Sequence, residues 1–203
     1  MKVDGRTTGL EQFHSIPGQK GLTLKSTSEI RERGVVHKIV TETEYYDKRP
    51  ARYKLEITTG GRSQKYTLEF APLGVHVFID LNGRTTQRTM ALAGDLVLLD
   101  KNVWHHYWLM LARYDMNKSG KQWFRVFIPQ AAFRQVNAVV EYKGLASIKV
   151  GDEKKQGHRF SINLANGYEI NIIADKDGMP LSIEVPGEEI EVELQGHSVL
   201  KSE

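Results

Sequence analysis

The sequence has no cysteine among its 203 residues. This absence excludes disulfide bonds, zinc sites built on thiolates and cysteine nucleophiles, but it leaves the cellular compartment open. No apolar run approaches the roughly 20 residues that a membrane-spanning helix needs. The opening residues, Met-Lys-Val-Asp-Gly, contain no apolar segment of the signal-peptide type. We therefore predict no membrane span and no thiol chemistry.

The sequence also lacks a strong excess of charge. Its net charge of +3 at pH 7 is too small, and too evenly mixed with acids, to generate the positive field of a nucleic-acid groove. The densest basic cluster consists of Arg49, Arg52 and Lys54, and the acids around it are Glu42, Glu44, Asp47 and Glu56. This mixture predicts a solvated strand edge and no nucleic-acid partner.

The familiar catalytic motifs are missing as well. Neither the Gly-x-Ser-x-Gly elbow nor the Gly-x-Gly-x-x-Gly and Walker phosphate loops occur. The carboxylate-rich stretch Glu184–Glu193 alternates with apolar residues, a pattern that predicts acids on the wet face of strands rather than a catalytic pair. We predict that the chain is not an enzyme by itself and has no catalytic residue and no cofactor.

Two adjacent histidines are the only close pair of this residue type. On a helix His105 and His106 point about 100 degrees apart, so they cannot chelate one metal ion as residues i and i+4 can. A metal site would need Asp100, Asp115 or a histidine from a strand in addition. We predict no metal site, with His105 solvated and His106 at the rim of an apolar surface.

Most of the chain alternates apolar and polar residues with period two, in runs of about 6 to 10 residues broken by glycine-rich turns, as half-buried antiparallel strands do. The strands predicted before the middle of the chain are Leu10–His14, Leu22–Glu29, Val35–Tyr45, Ala51–Thr58, Lys65–Phe70, Val75–Leu81 and Arg84–Met90. Those predicted after it are Gln122–Pro129, Phe133–Tyr142, Leu145–Val150, His158–Leu164, Tyr168–Ala174, Leu181–Val185 and Ile190–Leu194. Hairpin turns are predicted at Gly60-Gly61, Asn82-Gly83 and Asp177-Gly178.

The exception to this alternation is Asn102–Tyr114, where apolar residues fall at helical spacing. Asp100 or Asn102 can cap the start of this helix. The predicted fold is mainly β: an antiparallel meander forming an open half-barrel or barrel-like sheet, with one amphipathic helix at about 102–114 packed on it. At this length a single domain, 1–203, is the default.

The helix carries the candidate ligand-binding residues: Trp104, Tyr107, Trp108 and Leu111. Amphipathic rings can lie over an apolar cavity with their polar tips outward. The same rings can instead be core that plugs the sheet, and stripes of this kind are core more often than not. Ligand contact is favoured here because many long strands and one helix predict a concave face larger than the helix covers.

A family resemblance rests on three stretches of the chain. These are Asp95–Tyr114, Gln122–Gln130 with its Val-Phe-Ile-Pro-Gln strand end, and Ala174–Pro186 with its Asp-Gly hairpin. Together with Gly9–Ser15 and Leu24–Glu29 they resemble a bacterial domain of unknown function that is usually exported. That domain is similar in architecture to periplasmic lipoprotein carriers, and a related segment forms the N-terminal domain of some secreted α/β-hydrolases.

The resemblance implies a periplasmic or secreted protein and two functions. The first is a binding module for a lipid or other apolar small molecule in the bacterial envelope. The second is an accessory or interaction domain of an exported α/β-hydrolase or another multidomain protein, with the adjoining hydrolase domain as partner. A stand-alone hydrolase is the least favoured, because the nucleophile motif is missing.

Overall fold

The computed structural model describes residues 1–194 except 5, 20, 93, 119 and 166. The predicted fold class is confirmed: the described chain forms antiparallel sheets that do not close, together with one short α-helix. Contacts divide it into two compact units. The meander unit is Thr8–Leu96, and the helix unit combines Met1–Thr7 with residues 97–194. The single-domain assignment of 1–203 stays a prediction.

The meander unit is a seven-stranded sheet in which each strand pairs with the next in sequence. Every strand predicted in this part of the chain is present, and most extend by one to three residues. The strands are β3 (Gly9–Pro17), β4 (Gly21–Glu32), β5 (Val35–Tyr46), β6 (Arg49–Thr59), β7 (Arg62–Ala71), β8 (Gly74–Leu81) and β9 (Arg84–Ala91).

The predicted hairpin turns of the meander unit are also confirmed. Gly60 and Gly61 have φ of 54° and 79°, and Asn82 and Gly83 have φ of 54° and 87°. Two successive positive φ angles are what a type I′ hairpin turn requires, and glycine and asparagine adopt them at little cost. The Asp80 carboxylate accepts a 2.7 Å hydrogen bond from the Gly83 amide, which closes the second turn.

The basic cluster lies on β6, the central strand of the seven-stranded sheet, so the predicted strand edge is wrong. Its side chains are partly or fully exposed and interleaved with acids. Lys54 lies 2.7 Å from Glu42, and that carboxylate also pairs with Lys25. Hydrogen bonds from Lys54 and then Lys25 hold the pKa of Glu42 below its usual value. Two longer ion pairs also involve the cluster, Arg49 with Asp95 at 3.3 Å and Arg52 with Glu69 at 3.8 Å.

The helix unit carries a nine-stranded antiparallel sheet. Its strands are β1 (Lys2–Val3), β2 (Arg6–Thr7), β10 (Leu96–Leu98), β11 (Lys121–Ile128), β12 (Arg134–Val150), β13 (Glu153–Leu164), β14 (Glu169–Ala174), β15 (Pro180–Val185) and β16 (Ile190–Glu193), and a 3₁₀ turn spans Pro186–Glu188. Their order in the sheet is β10-β11-β12-β13-β14-β15-β16-β1-β2. The strands β1, β2 and β10 were not predicted, because two or three residues are too few to show alternation.

Two predicted strands, Phe133–Tyr142 and Leu145–Val150, merge into the single strand β12. The pairing of β12 with β13 shifts register between Tyr142 and Leu145, and Gly144 lies there with a φ of 96°. An irregularity of this kind bends a strand without ending it. The acids of Glu184–Glu193 are all exposed. Glu184, Glu191 and Glu193 lie on strands as predicted, whereas Glu188 and Glu189 lie at the 3₁₀ turn.

The helix is shorter than predicted. α1 spans His106–Leu111, six residues instead of the predicted 102–114. Asn102 has a left-handed φ of 60°, which no helix interior accommodates. The predicted cap is also wrong. The Asp100 carboxylate accepts hydrogen bonds from the amides of Lys101 and Gln130, and α1 has no side-chain cap.

Candidate functional site

The structure brings three of the four candidate residues together in a buried cluster on the nine-stranded sheet. Trp104, Tyr107 and Leu111 are between 4% and 8% exposed, and the rings of Trp104 and Tyr107 stack with centroids 6.3 Å apart. Trp108 does not join the cluster and is half-buried. Trp104 and Tyr107 therefore belong to the hydrophobic core and to the candidate site as well.

The sheet face beneath α1 is apolar and buried. Its fully buried side chains come from successive strands: Val126, Ala138, Val140, Ile162, Ile170 and Ile172. The sequence predicted a concave face larger than the helix could cover. In the described residues this part of the face is filled by side chains of the chain itself, so a ligand would need α1 to move.

The turn between β14 and β15 contacts α1. The indole N–H of Trp108 donates a 3.2 Å hydrogen bond to the carbonyl oxygen of Asp177. A Cβ built on Gly178 would lie 3.3 Å from the Ala112 amide nitrogen and 3.5 Å from the Leu111 Cβ. Gly178 has a φ of 80°, which the predicted turn requires and which glycine adopts at little cost. The absence of a side chain at Gly178 also allows α1 to approach the turn closely.

A polar group adjoins the apolar cluster. Burial, followed by the nearby Tyr168 and Glu188, raises the pKa of the Tyr107 phenol. Tyr168 precedes β14 and donates a hydrogen bond to the Glu188 carboxylate, and burial and that carboxylate raise its pKa too. Both phenols are therefore protonated at neutral pH, and a protonated phenol can donate a hydrogen bond.

The prediction for the histidines is wrong. His105 and His106 are both buried, and their rings meet edge to face with centroids 4.7 Å apart. A short helix that is buried on nearly all sides leaves no solvated face for a histidine. Loss of hydration, and then the neighbouring His105, hold the pKa of His106 well below its usual value. His106 is therefore neutral at pH 7.

Metal-ligating residues do not gather within the part of the chain that the structure describes. No three histidine, aspartate or glutamate side chains there come close enough to hold an ion. The described residues also include no helix long and apolar enough to cross a membrane.

The half-buried position of Trp108 gives a first prediction. Trp108→Ala should lower the free energy of unfolding by less than the about 3–5 kcal/mol typical of a fully buried tryptophan, because only part of the ring is removed from water. Urea denaturation followed by circular dichroism measures this. Phe127→Ala, at a fully buried ring, is the matched comparison. A loss at Trp108 as large as that at Phe127 would contradict the half-buried placement.

Comparisons with known proteins bear on the fold alone. No family model matches the chain, and no curated protein matches it. Two solved structures are similar. One is a DUF1089 family protein from Pseudomonas aeruginosa, with a TM-score of 0.61, 9% identity, and coverage of 90% of this chain and 91% of that one. The other is a β-barrel-like protein of the domain of unknown function DUF1849 from Brucella abortus, with a TM-score of 0.57, 12% identity, and coverage of 88% and 82%.

The chain thus has the fold of β-barrel-like domains of unknown function. This agrees with the part of the resemblance that named such a domain. At 9% and 12% identity no residue role is transferred from either protein.

Sequence reasoning missed Tyr168 and the contact that Asp177 and Gly178 make with α1. The Asp-Gly pair was recognised as a turn from its own chemistry. Its contact with α1 joins residues that are 69 positions apart in the sequence. A local sequence pattern cannot indicate a contact between residues so widely separated.

Proposed function

We propose that the protein is a non-catalytic binding module for a lipid or other apolar small molecule of the bacterial envelope. The ligand would occupy the apolar face of the nine-stranded sheet, in the place of α1. The observation that carries this proposal is the contrast between the large apolar face and the short segment that covers it. Trp104, Tyr107 and Leu111 are among the side chains that cover that face.

The small size of α1 supports its displacement by a ligand. Isolated helices below about 12–15 residues are marginal in water, so a six-residue helix depends on its packing. α1 has no side-chain cap, and Trp108 ties it to the 175–179 turn through one hydrogen bond. An acyl chain that covers the same apolar side chains would restore most of the burial, at roughly 25 cal/mol per Å² of apolar surface.

Tyr168 supports a ligand with one polar end, because it precedes β14 and would stay in place when α1, which carries Tyr107, moves away. It is partly buried beside the cluster and bonds to the exposed Glu188. A protonated phenol can donate to an ester or carboxyl oxygen at the edge of an apolar site. The proposed location, periplasmic or secreted, rests on the family resemblance.

Tryptophan fluorescence tests the proposal. Trp123→Phe is the working background, because Trp123 is 72% exposed on β11 and would dominate the solvent-sensitive signal. Titration with fatty acids of several chain lengths, and with a phospholipid, should then change the emission of Trp104 and Trp108 saturably. The change should be absent when the same ligands are added to the urea-unfolded protein. No saturable change with any of these ligands would reject the proposal.

A second candidate function is an accessory domain that packs against a catalytic domain. The observation that favours it is Trp123 itself, a large aromatic side chain that is mostly exposed although it lies in the middle of a strand. Tryptophan is enriched at protein interfaces, where a partner buries its ring. The test is the gene: a reading frame that continues into a Gly-x-Ser-x-Gly domain would favour this function.

A further inference from the structure

β9 forms one edge of the seven-stranded sheet, and its side chains are exposed along nearly its whole length. It pairs with β8 from the turn to Ala91. Every residue of β9 except the partly buried Met90 is exposed. Three of its eight residues are threonine, a residue type that strands favour. At about 3.4 Å per residue, this edge is about 27 Å long.

The pairing of β9 with β8 decides which of its main-chain groups face outward. In an antiparallel pair, alternate residues of each strand bond to the neighbouring strand, and the residues between them direct their N–H and C=O groups away from it. Directly after β9, the Leu92 amide donates a 3.2 Å hydrogen bond to the Leu73 carbonyl oxygen, so the even-numbered residues are the ones that bond to β8. The main-chain groups of Thr85, Gln87 and Thr89 therefore face outward.

These outward groups have no main-chain partner within the part of the chain that the structure describes. β8 is the only strand paired with β9 there, and no other main-chain hydrogen bond of the described residues involves Thr85, Gln87 or Thr89. Proteins commonly protect a free sheet edge with proline or a β-bulge. The opposite edge strand, β3, ends in Pro17, whereas β9 has no proline and pairs without a register shift. The edge at β9 can therefore accept a further strand.

The charges of β9 determine which strand fits. Arg84 and Arg88 share one face, β9 contains no acid, and the β8 residues opposite them are the uncharged Leu81 and Val77. Since the odd-numbered residues would bond to an added antiparallel strand, both arginines would occupy its non-hydrogen-bonded pairs, where side chains lie closest. Opposite charges stabilise such pairs and like charges destabilise them. A second copy of β9 would bring four arginines to one face, so an acidic strand is favoured.

We propose that β9 is a docking edge for an extended acidic segment of another protein, which adds to the sheet as an antiparallel eighth strand. The main chain of the segment bonds to the outward groups of Thr85, Gln87 and Thr89. Two acidic residues, four positions apart in the segment, face Arg84 and Arg88. This docking edge lies in the meander unit and shares no residue with the proposed site under α1.

The probe is a seven-residue peptide with blocked ends, Thr-Glu-Thr-Val-Thr-Glu-Thr, whose glutamates match the spacing of the arginines. Titrated at low ionic strength, it should shift the NMR resonances of the β9 amides saturably, and the same peptide with lysine in place of both glutamates should bind more weakly. Gln87→Pro removes one outward N–H but no bond to β8, so the variant should fold. It should bind the glutamate peptide at least about tenfold more weakly, because its ring also obstructs the added strand. The matched control is Gln87→Thr, which keeps the amide and should bind as the wild-type protein does.

Three results would overturn the proposal: no saturable shift of the β9 amides in the wild-type protein, equal affinity for the glutamate and lysine peptides, or unchanged affinity in folded Gln87→Pro. A homodimer of the wild-type protein that dissociates in Gln87→Pro would assign the edge to a second copy and overturn it as well. If Gln87→Pro does not fold, the exposed arginines decide. Arg84→Glu/Arg88→Glu should then prefer the lysine peptide, and an unchanged preference would contradict the proposal.

Discussion

Tyr107→Asp should lower the free energy of unfolding by about 3–5 kcal/mol, among the largest effects that we expect from a single substitution. Tyr107 is almost fully buried on the apolar face of the nine-stranded sheet, with Tyr168 and the carboxylate of Glu188 nearby. A new carboxylate at this position loses its hydration and is repelled by Glu188. Urea denaturation at pH 7 measures the change.

Two matched variants show how much of this loss of stability comes from the new charge, from the changed side chain and from the buried position. Tyr107→Phe removes only the hydroxyl and should cost about 1 kcal/mol or less. Tyr46→Asp introduces the same charge at a tyrosine that is 55% exposed and should be nearly neutral. If Tyr107→Asp were no more destabilising than Tyr46→Asp, α1 would not rest on the sheet face as described.

Acid should destabilise the folded protein through His106, the second large effect. The folded pKa of His106 lies well below its unfolded value near 6.5. As the pH falls below that value, the unfolded state takes up a proton that the folded state does not. Stability from this group is therefore fully present above about pH 6.5 and declines below it, by up to about 1.4 kcal/mol per pH unit, until the folded pKa is reached.

The free energy of unfolding, measured between pH 7.5 and 4.5, tests this dependence. In His106→Leu the decline across this range should be smaller than in the wild-type protein. The matched control is His14→Leu, at an exposed histidine, which should keep the wild-type slope. A wild-type slope retained in His106→Leu would mean that the ring is hydrated in the folded state.

The strands were predictable because their inward positions are buried at every second residue. In β5, Ile39, Thr41, Thr43 and Tyr45 are buried while the residues between them are not, so the burial follows the period that the sequence shows. The same alternation is present in β4, where Ser26 and Ser28 are buried. Ser26 and Ser28 continue the phase of Leu24, and extending that phase through polar residues would have placed both serines inward.

The length of the helix and the burial of its histidines were predicted poorly because tertiary contacts determine both. Apolar spacing across Asn102–Tyr114 suggested an amphipathic helix with a wet side. Asn102 has a left-handed conformation that a helix cannot contain, so α1 begins after it, at His106. Packing on several sides buries both histidines. For the candidate site, the sequence identified Trp104, Tyr107 and Leu111, which the structure brings together. It could not report that strand side chains already fill the face beneath them.

Displacement of α1 is the central claim, and a reversible cross-link tests it most directly. In Leu111→Cys/Gly178→Cys the two Cβ atoms would lie 3.5 Å apart, within the range for a disulfide bond. The chain has no other cysteine. A cysteine with the positive φ of residue 178 destabilises the oxidised and the reduced protein equally, so the reduced protein is the matched control.

The measurement is the affinity of a fatty acid for the oxidised and reduced forms, read from the fluorescence of Trp104 and Trp108 in the Trp123→Phe background. The proposal predicts saturable binding to the reduced protein and a loss of at least about tenfold on oxidation, with binding restored by a reductant. Equal affinity in the two forms would contradict it, because the ligand would then bind with α1 still in place.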